Sequence, residues 1–143
     1  MFFSHSVALP SKKKEELGDL RIRLNVLKEL IEAYKTGGAY YADSDDKELS
    51  IKIDVDFSKY IRADVVGVFA GDYHADKVEF DNAKIPYILT ANSVTYDSGS
   101  ATSVKRADGD KTELLFDIAT IDKNSRKIYI TRVGAGNDRE IDY

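Results

Sequence analysis

Asp64-Val65-Val66-Gly67-Val68-Phe69-Ala70-Gly71-Asp72-Tyr73-His74 is the stretch that decides the fold. Its unbroken β-branched and apolar run reads as a strand covered on both faces, the sequence habit of a sheet inside an α/β protein rather than of a half-solvated hairpin. The run stops at Gly71, where glycine permits a sharp turn. A carboxylate and an imidazole, Asp72 and His74, follow two residues apart. The C-terminal ends of such strands are where α/β sheets gather their sites.

Upstream, the spacing predicts one helix. Leu17, Leu20, Leu24, Leu27, Ile31 and Tyr34 recur at intervals of three and four and draw one apolar stripe. Ser11 after Pro10 is the candidate N-cap, Glu15-Glu16 suit the positive end, and Gly37-Gly38 stop the helix. Residues 39–46 read as a polar turn. Strands are expected near 1–5, 51–57, 65–70, 77–82, 85–91, 113–121 and 127–133. The clearest are the alternation of Ile51, Ile53, Val55 and Phe57 with Lys52, Asp54 and Asp56, and the pair of runs around the loop from Asp122 to Arg126. Asp81-Asn82 marks a turn, 92–110 a long surface loop, and Gly134 to Arg139 a glycine-containing turn closed by Ile141 and Tyr143. These elements make a single α/β domain over 1–143, one long amphipathic helix packed on a mixed sheet.

Composition narrows the function. A net charge of −4 leaves no basic face for non-specific nucleic-acid binding, and Lys12-Lys13-Lys14 is offset at once by Glu15-Glu16. The absence of cysteine removes disulfides, thiolate zinc sites and cysteine nucleophiles together. Met1-Phe2-Phe3 is too short for a signal peptide core or a membrane span, so the chain is expected to be cytoplasmic at synthesis, with no membrane partner. Its abrupt apolar start suggests a piece of something longer.

Only two histidines exist, His5 and His74, and each sits where an apolar strand gives way to a polar loop. His5, Asp72 and His74 together suit a divalent ion such as Mn, Fe or Zn. A strand-ending glycine before polar residues is equally ordinary punctuation, and a nearby histidine is ordinarily a partly exposed hydrogen-bonding residue. The residues alone leave both readings open. Ser4, Ser93 and Ser98 lack the G-x-S-x-G elbow of a serine hydrolase. Gly134-Ala135-Gly136 has no helix after it and reads as a turn; Asp43, Asp45 and Asp46 lack the rest of a calcium loop. Arg132 and Arg139 read as members of a structural ion pair, with phosphate contact as the alternative.

The segment from Val65 to Asp76 resembles the last signature of calcineurin-like metallophosphoesterases, a strand followed by G-H-x-H. Phe2-Phe3-Ser4-His5 with its Pro10 loop is similar to the preceding signature, a strand ending in one metal-binding histidine. The stretch from Ile128 to Arg139 resembles the close of bacterial and phage members. The resemblance spans nearly the whole chain and implies the C-terminal half of a β-sandwich. It implies that His5 ligates the second of two metals and His74 the first. Asp72 stands where the family has a histidine that also ligates the second. The family's D-x-H, G-D-x-x-D and G-N-H-[DE] signatures do not occur here, and neither Gly18-Asp19 nor Gly109-Asp110 restores them. Two expectations follow. One is a phosphoesterase portion, inactive alone, that homo-oligomerises or meets a missing N-terminal half. The other is a non-catalytic structural or interaction module of a phage or prophage protein, virion-associated in that case.

Overall fold

The computed structural model describes residues 1–5, 9–10, 18–44, 50–91 and 106–143, with 18–24 and Ser44 described by backbone alone. The chain is a mixed α/β protein dominated by sheet. Among the described residues one helix, α1 (Gly18–Thr36), accompanies nine strands: β1 (Phe2–Ser4), β2 (Ala39–Ser44), β3 (Ile51–Asp56), β4 (Val68–Ala70), β5 (Lys77–Phe80), β6 (Pro86–Leu89), β7 (Leu115–Asp122), β8 (Lys127–Gly134) and β9 (Arg139–Asp142). No helix among those residues is long and apolar enough to cross a membrane.

The central sheet has the order β1-β4-β6-β5. β1, β4 and β6 run parallel, so Ser4 pairs with Ala70 and Ala70 with Leu89, and three strand ends lie along one edge of the sheet. β5 is antiparallel to β6. The turn between them is fixed by Asp81, whose Oδ1 accepts the Ile85 N–H at 2.8 Å, as Asp81-Asn82 predicts. One face of this sheet meets the helix: Ile31, with Leu27 and Tyr34 beside it, packs on Val65, Val68, Ala70, Tyr87 and Leu89. The other face, through Val66, Phe69, Val78 and Ile88, shares an apolar cluster with Ile128, Ile130 and Ile141 of the antiparallel sheet β7-β8-β9. The stretch around Val68 is thus covered from both sides, which is why it carries no alternation.

Helix α1 ends where glycine was expected to end it. Gly37 is left-handed (φ 75°), and the Gly37 and Gly38 N–H groups both donate to the Ala33 carbonyl at 2.9 Å. The expected cap Ser11, the pair Glu15-Glu16 and Leu17 lie outside the described residues, as do the side chains of Leu20 and Leu24. Ile51, Ile53 and Val55 are half-buried between exposed neighbours, in the predicted alternation; Phe57 falls instead in a single 3-10 turn (Phe57–Lys59) capped by Asp56.

Three expectations are corrected. Residues 39–44 are not a turn but β2, paired antiparallel along all of β3; the phenol of Tyr40 ties it to the helix by donating to Glu29 Oε2 at 2.9 Å. Residues 139–142 form β9, laddered on β8, where a closing turn was expected. The third concerns 65–70, of which only Val68–Ala70 is laddered strand.

Between the two larger sheets lies a buried ionic cluster. The Arg132 side chain, 1% exposed, projects from the inner face of β8 next to Ile128 and Ile130. Its Nη2 and Nη1 meet Asp76 Oδ1 and Oδ2 at 2.6 and 2.8 Å, its Nε meets Asp117 Oδ1 at 2.6 Å, and its Nη1 also reaches the Ala135 carbonyl at 2.7 Å. Arg139 donates to Asp117 Oδ2 at 2.6 Å and to the Leu89 carbonyl at 2.8 Å. The ion-pair reading of both arginines holds. Burial pushes the Asp76 carboxyl upward, but the Arg132 hydrogen bonds, the Ala91 N–H and the positive charge of Arg132 and Arg139 outweigh it and hold it below its ordinary value.

Arg132→Met leaves Asp76 between the sheets without its guanidinium and takes one of two from Asp117, and should cost about 3–5 kcal/mol in urea unfolding. The same titration on Asp64→Ala, which removes only an exposed pair with Arg126, should leave the midpoint nearly unchanged. The pH dependence has a definite sign. A depressed carboxyl contributes stability that is full above its unfolded value of about 3.9 and is lost as pH falls through the lower folded value. Unfolding midpoints measured across the acid range should therefore drop below roughly pH 4, and Asp76→Asn should flatten that drop.

Candidate metal centre at the ends of the parallel strands

His5 follows β1, Gly71 to His74 follow β4, and Thr90-Ala91 follow β6, so the parallel register delivers all three segments to one sheet edge. A backbone clamp holds the first two together. The His5 carbonyl accepts the N–H of Gly71 at 3.2 Å and of Asp72 at 2.9 Å, and Thr90 N–H donates to the Ala70 carbonyl at 3.2 Å. As a result His5 Nε2 stands 3.4 Å from Asp72 Oδ1.

A turn follows β4 at Gly71, as expected. Gly71 is not left-handed, and nothing crowds its missing side chain. The left-handed residue is His74 itself (φ 49°), whose N–H returns to the Gly71 carbonyl at 3.3 Å. Histidine is among the few side-chain-bearing residues enriched in that conformation, and such strain concentrates at functional sites.

His5 and His74 both line one open cleft of about 710 Å³. Its other walls are Phe3 and Phe69 from the central sheet and Leu115, Phe116, Ala119 and Ile130 from the β7-β8 hairpin. Asp117 lines it too, already committed to Arg132, to Arg139 and to the Thr90 hydroxyl at 2.8 Å. Of the three predicted residues, His5 and His74 line the cleft, and Asp72 stands beside His5.

Two donors each about 2.1 Å from a tetrahedral ion stand roughly 3.4 Å apart, so His5 and Asp72 have the bite of a pair of ligands to one cation. The pair is only half a site. Among the described residues no three His, Asp or Glu side chains gather into a group able to hold an ion alone.

Sequence reasoning missed the supports behind this rim. Asp76, two residues past His74, is clamped by Arg132 and by the Ala91 N–H at 3.0 Å, which fixes the loop carrying His74 against the end of β6. A signal for it was present: Arg132 shares the inward parity of Ile128 and Ile130, and a buried charge demands a partner. Gly134-Ala135-Gly136 ends β8 and turns, as expected, with Gly136 making room for Arg132 and Gly134 for the Leu114 backbone. A Cβ on Gly136 (φ 115°) would lie 2.2 Å from Arg132 Nη1, and one on Gly134 (φ 94°) would lie 1.9 Å from the Leu114 carbonyl oxygen.

Comparison of the chain with family models, with curated proteins and with solved structures returns no match. The site's own geometry carries the functional argument.

Gly136→Ala should lower stability by about 2–4 kcal/mol through backbone strain and displacement of the guanidinium, as read by thermal or urea unfolding. His74→Val should be destabilising by about 1–2 kcal/mol, because a β-branched residue resists positive φ, whereas His74→Asn should be close to neutral. If Val and Asn variants melt together, the left-handed turn is not what fixes this loop.

Proposed function

We propose that this chain is the C-terminal portion of a two-metal phosphoesterase that cleaves phosphomonoesters or phosphodiesters. In this reading it is the second half of a β-sandwich of that family, with α1 as its amphipathic flanking helix. The observation that carries the reading is the 3.4 Å approach of His5 Nε2 to Asp72 Oδ1 at the mouth of a cleft that His74 also lines. The resemblance assigns His5 and the Asp72 position to one metal and His74 to the other. The closeness of His5 to Asp72 supports the first part of that assignment.

Divalent ions such as Mn, Fe or Zn would supply Lewis acidity and an acidic bound water. The chain's own part is to hold two donors at a fixed bite through the His5 carbonyl clamp and to aim His74 through its left-handed turn. Two ions about 3.5–4 Å apart need a shared carboxylate. Asp117 and Asp76, the acidic side chains just behind the rim, are both consumed by arginine. Hydrolysis therefore requires further ligands, from a missing N-terminal half or from another copy in a homo-oligomer, and the isolated chain should be inactive.

A second reading is favoured by the incomplete donor group and by the exposed apolar residues Phe116 and Ile118 on β7: a non-catalytic structural or interaction module, virion-associated in a phage or prophage setting.

Metal analysis after equilibration with Mn²⁺, Fe²⁺ or Zn²⁺ separates the two. Calorimetric titration should show weak binding that His5→Ala abolishes. Asp72→His, which gives zinc a softer ligand, should tighten Zn²⁺ by about tenfold. No binding by the parent chain or by Asp72→His would leave the interaction module as the function. Turnover of bis(p-nitrophenyl) phosphate by the chain alone would overturn the partial-site account.

A further inference from the structure

The two larger sheets share an apolar core but part at one edge. β1 and β7 are the outermost strands there, each paired on one side only among the described residues. Phe3 and Phe69 are register partners, so both rings point from the central sheet toward the β7-β8-β9 sheet. They stack with centroids 5.2 Å apart and planes 23° from parallel, yet Phe3 stays 73% exposed. Along β7 the inward positions are Leu115, Asp117, Ala119 and Ile121. Leu115 is buried and Ile121 packs in the shared cluster, but Ala119 is exposed although its register partner Ile130 is buried. A methyl group fills little of the space between sheets, and Phe3, Phe69, Ala119 and Ile130 all line the cleft of about 710 Å³.

That volume suits a small organic molecule. No lysine or arginine lines the cleft, and its lining carboxylate, Asp117, is bonded to two arginines. An ion of either sign entering here would lose water without gaining a counter-charge. The wall does offer one polar group. His74 is half-buried and lines the cleft, and among the described residues its imidazole has no hydrogen-bond partner. A neutral imidazole nitrogen can accept an N–H or O–H.

We infer that this cleft is the binding site of an uncharged aromatic molecule carrying one N–H or O–H. Its ring lies against Phe3 and Phe69 in the space that Ala119 leaves, and its polar hydrogen is directed to His74. The site needs no metal and is independent of the phosphoesterase reading.

Indole is the probe. The chain contains no tryptophan, so indole fluorescence excited beyond the tyrosine band reports the probe alone. Indole should bind without added metal, about fivefold tighter than N-methylindole, which has no N–H to donate. Indoleacetate, which brings a negative charge, should bind about tenfold more weakly than indole. Phe3→Ala, at an exposed ring, should weaken indole by about fivefold with the melting curve unchanged. Ala119→Leu, which fills the gap, should abolish binding and hold or raise the melting midpoint. Absence of indole binding by the parent chain overturns the inference, as does affinity that survives both Phe3→Ala and Ala119→Leu. Equal affinity for indole and N-methylindole overturns the part given to His74, and tighter binding of indoleacetate overturns the uncharged class.

Discussion

A guanidinium buried between two sheets is costly unless every donor is used, and Arg132 uses them on Asp76, Asp117 and the Ala135 carbonyl. Asp76 follows the β4 turn of the central sheet and Asp117 belongs to β7, so a single side chain on β8 ties the two sheets together. Apolar contacts such as Ile88 against Ile130 supply burial but tolerate sliding. The arginine does not. Its planar fork accepts one arrangement of two carboxylates, so it sets how β8 lies over the ends of β4 and β6. The cluster also explains Gly136, since the space the guanidinium occupies beside it is space that a Cβ would take.

The rim of the cleft inherits its geometry from that cluster. Asp76 is held by Arg132 on one side and by the Ala91 N–H on the other, and Arg139 reaches the Leu89 carbonyl at the end of β6. His74 is therefore mounted on a loop whose far end is immobilised by ionic contacts and whose near end is clamped to His5 through Gly71 and Asp72. Rigidity behind and exposure in front is the arrangement a ligand site requires. His5, 82% exposed, is free to meet whatever enters.

How much of this was legible depends on where the information lay. The β3 alternation, the β7-β8 hairpin, the Asp81 turn and the helix stop at Gly37 are local, written in period, turn chemistry and backbone handedness, and they read correctly. β2 and β9 did not. Asp43-Ser44 and Arg139-Glu140 are poor strand formers, and they are strands because β3 and β8 offer them a complete backbone ladder. That His5 and His74 line one cleft follows from a local feature, since each comes after an apolar run and parallel pairing brings the ends of such runs together. The roles of Asp76 and Asp117 were not legible, because they exist only once two sheets meet around Arg132. The turn after β4 shows the same limit: Gly71 marked a sharp turn, but not that its positive φ would fall at His74.

The aspartate at position 72 can be weighed in the same terms. A carboxylate is shorter than an imidazole, and it reaches within 3.4 Å of His5 Nε2 because the backbone clamp draws the start of the loop against His5. The bite is thus a property of the main chain, and the side chain at 72 decides only how hard and how charged the second donor is.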